Sequence, residues 1–416
     1  MSSLFAPDPS HVFNLLAWLV DAGLDGRSER GLTNGLAARL NAAGVPVHRI
    51  SMGSDVLDPV LQSRSFIWRS ESGTEKYRFE RGLRRSDQWL KSPLFWMLSN
   101  ERFSLHLPLS STEAEQFPLA LELREAGYTD YLARIVPYGD RARLGAGRGL
   151  MATFATRAEG GFQPGHIAFL DAVLPTFALA FMSQMRGRMM GRVLETYLGD
   201  TPARRVLKGD ITRGEAQTIE AVIWMSDLSG FTKTTDPMPR EAILEYLNAH
   251  AEVVADAIHA HGGEILKFIG DGVLAVFDGR NGAECAAESA LDAALQVQAN
   301  IARLREERTP QGLATSSVII GLHHGTVLFG NFGSQDRLDF TALGSAVNEA
   351  SRLVTLGKTL EQRLVASAAF HAALKKRQPA MVSLGRYALR GVSGAQHLYT
   401  VDNEAITKPE TAPPPT

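Results

Sequence analysis

Two aspartates stand where the chain changes direction. Asp227 falls in the run Met225-Ser226-Asp227-Leu228-Ser229-Gly230-Phe231-Thr232, and Asp271 in Lys267-Phe268-Ile269-Gly270-Asp271-Gly272. The first run reads as a strand end passing into a helix, the second as a hairpin turn. If those strands are neighbours in one sheet, both carboxylates project from the same end of it. Mg²⁺ is commonly held by one or two carboxylates, with phosphate oxygens and water completing the octahedron, so this pair suits a metal–nucleotide complex. Each aspartate also has a plainer reading, Asp227 as a helix cap and Asp271 as a turn residue. The residues around them decide between the two.

Gly230 follows the first aspartate at the strand-to-helix junction. Its lack of a side chain lets backbone N–H groups in the run Ser229, Gly230, Phe231 and Thr232 approach a polyphosphate. Further on come Asp339-Phe340-Thr341-Ala342-Leu343-Gly344 and Val347-Asn348-Glu349-Ala350-Ser351-Arg352. Asn348 and Arg352 are spaced i, i+4 and share a helix face, while Val347, Ala350 and Val354 supply a separate apolar one. By itself an arginine on such a face is a solvated surface residue. His323 and His324 are adjacent on an expected strand and point to opposite faces, so they cannot share one ion and structural roles are expected.

In this order and spacing, the runs resemble the catalytic domain of class III nucleotidyl cyclases over about residues 221–401. Ile320-Gly321-Leu322-His323-His324-Gly325 and Leu389-Arg390-Gly391 fit the same pattern. The resemblance implies that Asp227 and Asp271, helped by the backbone carbonyl of Leu228, bind two divalent cations, Mg²⁺ or Mn²⁺. One would lower the pKa of the ribose 3′-hydroxyl and the other would hold the triphosphate. It implies in-line attack of the 3′-oxygen on the α-phosphorus, with loss of pyrophosphate. Asn348 would orient the ribose, and Arg352 would neutralise charge growing on the α-phosphoryl oxygens. Ser229, Gly230, Phe231, Thr232 and Arg390 would bind phosphate. Arg390 stands where many relatives carry lysine, so the charge is kept and the geometry is not.

Hydrogen-bond chemistry bears on the base. Lys267 can only donate, which matches the acceptor N1 of adenine and opposes the N1–H of guanine. Guanylate cyclases of the family usually carry an acidic residue there. Thr341 takes the second base-reading position, as in a large, mainly bacterial subgroup. Its hydroxyl accepts from the adenine amino group and equally donates to guanine O6. The expected activity is conversion of ATP to 3′,5′-cyclic AMP and pyrophosphate. The alternatives are a guanylate or mixed-specificity cyclase and, from another class, a non-catalytic nucleotide sensor or scaffold. In this family the metal aspartates and the groups at 267, 341, 348, 352 and 390 come from different protomers, so the resemblance also implies a head-to-tail homodimer with two shared sites.

The elements that position these residues follow from periodicity. Strand 221–225, helix 240–261, hairpin 264–277, helix 283–305, strands 317–323 and 326–330 and helix 346–356 give β-α-β-β-α-β, the ferredoxin-like α+β arrangement. A chain of 416 residues exceeds one ordinary core, so a second domain is expected. Residues 1–163 mix helices, including 32–43, with strands 47–52, 65–69, 131–136 and 149–156. They are expected to form an α/β regulatory domain that resembles GAF domains, with an unknown ligand or partner. Trp68 and the run from Tyr128 to Tyr131 are its candidate pocket residues, although aromatics at strand ends are more often core. A connecting helix at 164–199 carries an apolar stripe through Phe169, Val173, Phe177, Phe181, Met185, Met189 and Val193, which predicts pairing with its copy in a dimer. Residues 200–216 read as a linker, 217–402 as the catalytic domain and 403–416 as a disordered tail.

Composition narrows the class further. A formal charge of -2 gives no general attraction to nucleic acid, and the single cysteine, Cys285, excludes an intrachain disulfide and a thiolate metal cluster. The first residues lack a secretory signal, and the apolar run 167–182 is interrupted by Asp171 and Pro175, so a cytoplasmic protein is expected.

Overall fold

Two compact units, each built on its own sheet, divide the chain between Val193 and Leu194. The computed structural model describes residues 9–58, 61–80, 86–139, 149–392 and 394–401. The expected tail at 403–416 and the start of the chain at 1–8 lie outside the described residues.

The first unit opens with helices α1 (Pro9–Leu24) and α2 (Glu29–Ala42). The Ser28 hydroxyl caps α2 by accepting from the Gly31 amide at 3.2 Å. Strands β1 (Arg49–Asp55), β2 (Leu61–Arg69) and β3 (Gly73–Glu80) follow, then short helices α3 (Asp87–Leu90) and α4 (Pro93–Ser99). Strand β4 (Ser104–Pro108), helix α5 (Pro118–Glu125), strands β5 (Asp130–Pro137) and β6 (Gly149–Thr156) and helix α6 (Pro164–Leu198) complete it. The strands form an antiparallel sheet in the order β3-β2-β1-β6-β5-β4. Period-two alternation gives the sheet two apolar faces. Ile50, Met52, Leu132 and Phe154 join a core with α1, α2 and α6, while Tyr131, Ala133 and Ile135 join one with α4 and α5.

Two expectations change here. The apolar stripe of α6, from Phe169 to Met189, is buried in the first unit's own core, so the premise that only a second copy could cover it fails. Amphipathic α1 and α2 supply the cover. The same burial accounts for half of the apolar window that makes α6 long and apolar enough to cross a membrane. The candidate pocket residues are mostly core: Tyr128 and Tyr131 are buried, and the Asp130 carboxylate accepts from the amides of Tyr131 and Phe162, both at 2.9 Å.

In the second unit, residues 200–216 are more than a linker. Helix α7 (Asp200–Leu207) accommodates Pro202 in its first turn, where a missing N–H costs nothing. The Thr201 amide donates to Glu264 at 2.7 Å, and the Asn331 side chain donates to the Asp210 carbonyl at 2.9 Å, docking the segment on the sheet. Proline and glycine punctuate it without detaching it.

Strand β7 (Ala216–Leu228), helices α8 (Phe231–Thr235) and α9 (Arg240–Ala260), the hairpin β8 (Glu264–Ile269) and β9 (Gly272–Asp278), helix α10 (Ala283–Arg308) and strand β10 (Val318–Gly333) form the centre. Then come β11 (Leu338–Leu343), α11 (Ser345–Leu360), β12 (Leu364–Ser367), α12 (Ala368–Ala373), β13 (Met381–Ala388) and β14 (Ala395–Val401). The order is β13-β14-β12-β10-β7-β9-β8, with β11 paired to β10. Within it β10-β7-β9-β8 is the 4-1-3-2 sheet of a ferredoxin-like fold. One face, with Val222, Trp224 and Phe277, is covered by α9 and α10; the other, with Ala221 and Ile223, carries Ala346 and Ala350 of α11. What read as two strands at 317–330 is one long strand, paired with β7 from Val318↔Leu228 to Gly330↔Ala216.

His323 and His324 lie on opposite faces of β10, and His323 takes the structural role expected of it. His323 Nδ1 and Ser367 Oγ are 3.0 Å apart, and burial, then His324, holds the His323 pKa down at about 4. The imidazole is uncharged at neutral pH, and its approach to Glu349 at 3.7 Å is not an ion pair. A depressed histidine contributes stability above its unfolded pKa of about 6.5, lost as pH falls through the folded value. The melting temperature of the full chain should therefore fall from about pH 6.5 towards 4, and His323→Gln should flatten part of that slope. Parallel profiles for the two proteins would contradict this assignment.

Candidate active site

The β7–β9 ladder brings the two aspartates together. Asp227 is the penultimate residue of β7, and Ser226 pairs with Val273, two residues after Asp271. Gly272 makes the approach possible, because a Cβ there would lie 2.6 Å from the Ser226 carbonyl oxygen. Asp271 then accepts from the Leu228 amide at 3.3 Å. Both carboxylates line a cleft of about 240 Å³ shared with Leu228, Asn248, His250 and Phe268.

The pair is electrostatically loaded. Burial first, and the Asp227 carboxylate beside it second, push the Asp271 pKa up to about 6. Asp227 Oδ1 is buried with no hydrogen-bond partner, while Oδ2 accepts from the Lys358 ammonium of α11. A crowded carboxylate pair with an unsatisfied buried oxygen fits a divalent cation. Among the described residues no cluster of three or more His, Cys, Asp or Glu side chains forms. A bound metal would thus rely on these two carboxylates, a backbone carbonyl such as that of Leu228, and substrate or water oxygens.

The turn after Asp227 is anchored by the segment that leads into β10. The Ser229 amide donates to the Ser317 carbonyl at 2.8 Å, so this one donor of the expected phosphate-binding run is already engaged. Gly230 caps α8, leaving Phe231 and Thr232 in its first turn. The loop that holds Ser229 is itself fixed by two groups that sequence reasoning missed. His250 Nε2 accepts from the Ser316 amide at 3.1 Å while Nδ1 donates to the Tyr246 carbonyl at 2.8 Å, and Tyr246 Oη donates to Ser316 Oγ at 2.7 Å. Burial pushes the His250 pKa down, which keeps Nε2 an acceptor.

The other expected residues gather elsewhere. Lys267 donates to Asp339, which shares a strand face with Thr341 two residues on. Asp339 also escaped the sequence reading, although the period of two places it beside Thr341. Asn348 is exposed and Arg352 half-buried on α11, and Arg390 is exposed; none of the three makes a side-chain hydrogen bond or ion pair among the described residues. Asn348 lies ten residues before Lys358, roughly 15 Å along the helix axis, and Arg352 lies roughly 9 Å before it. Neither makes a hydrogen bond or ion pair with the aspartates of its own chain among the described residues.

The sheet thus carries a carboxylate pair at one end, with cationic and amide groups held apart on a helix. Residues 215–403 match the family described as the adenylate and guanylate cyclase catalytic domain, and this segment belongs to that class III cyclase family. An adenylate cyclase of Anabaena cylindrica is 37% identical over 153 residues, covering 36% of this chain and 30% of that protein. Adenylate cyclase 1 of Rhizobium meliloti is 30% identical over 185 residues, 44% of this chain and 27% of that one. The matched region thus spans less than a third of either relative. The crystal structure of the adenylyl cyclase CyaB from P. aeruginosa is 26% identical, covering 45% of this chain and 96% of that chain with a TM-score of 0.42.

The raised Asp271 pKa carries a sign. Stability from this group is full below its unfolded pKa near 4 and lost as pH rises through about 6. In chelator at pH 8, Asp271→Asn should therefore melt above wild type. Mn²⁺ should raise the melting temperature of wild type and leave the variant unmoved. A variant that melts lower in chelator, or responds to Mn²⁺ as wild type does, removes the charge-crowding account.

Proposed function

We propose that the chain is an adenylate cyclase that converts ATP to 3′,5′-cyclic AMP and pyrophosphate. The observation that carries the reading is the pairing of Asp227 with Asp271 on the catalytic fold, with Lys267 as the base-reading donor. Divalent cations bound by Asp227, Asp271 and the Leu228 carbonyl supply Lewis acidity to the ribose 3′-hydroxyl and charge neutralisation to the triphosphate. Arg352 neutralises charge growing on the α-phosphoryl oxygens, and Asn348 holds the ribose. Gly230, Phe231, Thr232 and Arg390 bind phosphate. Lys267 donates to adenine N1 after exchanging Asp339 for the base, and the Thr341 hydroxyl accepts from the amino group. Because Thr341 can also donate to guanine O6, GTP is the competing substrate to measure.

The distance along α11 supports a shared site. Asn348 and Arg352 make no hydrogen bond or ion pair with Asp227 among the described residues, where Lys358 is the α11 group on that carboxylate, and in this reading a second copy placed head to tail supplies them. Exposed apolar side chains on the strands beside these groups, Phe268, Ile269, Leu328 and Phe332, provide surface for such a partner. The first unit is a GAF-like regulatory domain in this reading, and the protein acts in the cytoplasm. A cavity of about 440 Å³ lined by Ser51, Arg64, Ser65, Trp89, Glu122 and Met151 is its ligand-sized space. Helix α6 runs through the division between the units and is the route by which a signal would pass.

Purified full-length protein with Mn²⁺ should form cyclic AMP from ATP faster than cyclic GMP from GTP. Asp271→Ala should lower the rate by at least about 100-fold, the scale expected for loss of metal or oxyanion stabilisation. Equal activity in the variant would sink the assignment. Mixing inactive Asp227→Ala and Asn348→Ala chains should restore activity at one of the two sites, and no recovery would exclude the shared-site arrangement.

A further inference from the structure

Lys358 is not among the cyclising residues above, yet its ammonium donates to Asp227 Oδ2 across 131 residues of sequence. Close packing brings it there. Gly357 lets α11 descend onto the sheet, since a Cβ at that position would lie 2.8 Å from Ile319 Cγ2, 3.1 Å from the Gln362 carbonyl oxygen and 3.2 Å from Val365 Cγ2. Ile319 is the residue paired with Asp227 in the β10–β7 ladder. The helix therefore touches the sheet at the strand neighbour of the aspartate, and the next residue, Lys358, reaches the carboxylate. Lys358 also occupies the last turn of α11, where outward-facing carbonyls favour a cation.

The charge of the cleft calls for such a group. Two carboxylates crowd one corner, and one oxygen of Asp227 is buried without a partner. A single ammonium relieves the repulsion in part. The lysine side chain is 44% exposed and the aspartate side chain 26%, so the contact is weakly held and the ammonium has solvent to move into. An ammonium and a dication held on one carboxylate repel each other at close range.

We propose that Lys358 is a resident counter-ion of the carboxylate pair, which holds Asp227 in the metal-free protein and is expelled when a divalent cation binds. Metal binding is then an exchange of cations, and the affinity of the nucleotide-free protein for metal is set by that competition. The inference rests on the reading of Asp227 and Asp271 as metal ligands. It differs from an orienting role, in which Lys358 would stay on Asp227 behind the bound metal and strengthen its hold.

The test is Mn²⁺ binding to the full-length, nucleotide-free protein, followed by the electron paramagnetic resonance signal of free Mn²⁺. Lys358→Met, which keeps the aliphatic stem, should bind Mn²⁺ about 5- to 10-fold more tightly than wild type, by loss of one competing nearby charge. Lys358→Arg keeps the cation and should stay within about two-fold of wild type. Lys233→Met removes the same charge from exposed α8 and should also stay within about two-fold, because a solvent-screened charge acts weakly. The melting temperature of Lys358→Met in chelator should fall below that of wild type and rejoin it at saturating Mn²⁺. Unchanged or weaker Mn²⁺ binding by Lys358→Met overturns the exchange, while binding that survives Asp227→Asn at full strength overturns the metal-ligand reading beneath it.

Discussion

Holding two carboxylates in one partly dry corner is the constraint on which the catalytic unit depends. Burial first, and the like charge of Asp227 second, raise the cost of ionising Asp271, whose pKa is pushed up to about 6. The surrounding structure fixes the crowding from three sides. Gly272 lets the hairpin press against β7, the Leu228 amide takes one Asp271 oxygen, and Gly357 lowers α11 until Lys358 meets Asp227. In the proposed reading this corner is where a divalent cation would bind.

Rigidity behind the cleft has a separate source. The turn at Ser229 is tied to Ser317, and the segment leading to Ser317 is tied to Tyr246 and His250 on α9. A buried neutral imidazole with both nitrogens engaged locks one tautomer and leaves little freedom for the loop. The turn after Asp227 is therefore positioned by a chain of contacts running through Ser317 and Ser316 to α9.

Much of the catalytic unit was legible in the sequence. Apolar periods marked its helices to within a few residues, and the resemblance to class III cyclases singled out Asp227, Asp271, Asn348 and Arg352, which the fold distributes over one strand, one turn and one helix. The pairing of Lys267 with Asp339 and of Lys358 with Asp227 was not legible, because both are contacts between elements far apart in the chain. Proline and glycine at 200–216 suggested a free linker, but docking through Glu264 and Asn331 overrides local punctuation. The stripe of α6 was read correctly as apolar and assigned the wrong neighbour, since periodicity shows that a face must be covered and not by what.

Helix α11 carries Lys358 in its last turn and Asn348 and Arg352 earlier along the same rod. In a head-to-tail pair that rod borders two reaction centres, its own chain's carboxylates at one end and the neighbour's nucleotide along its length. Were the helix backbone to move with Lys358 as it is expelled at one centre, Asn348 and Arg352 would shift at the other. Occupancy of the two centres would then be cooperative, with saturation curves that depart from a simple hyperbola even though the two centres are chemically identical.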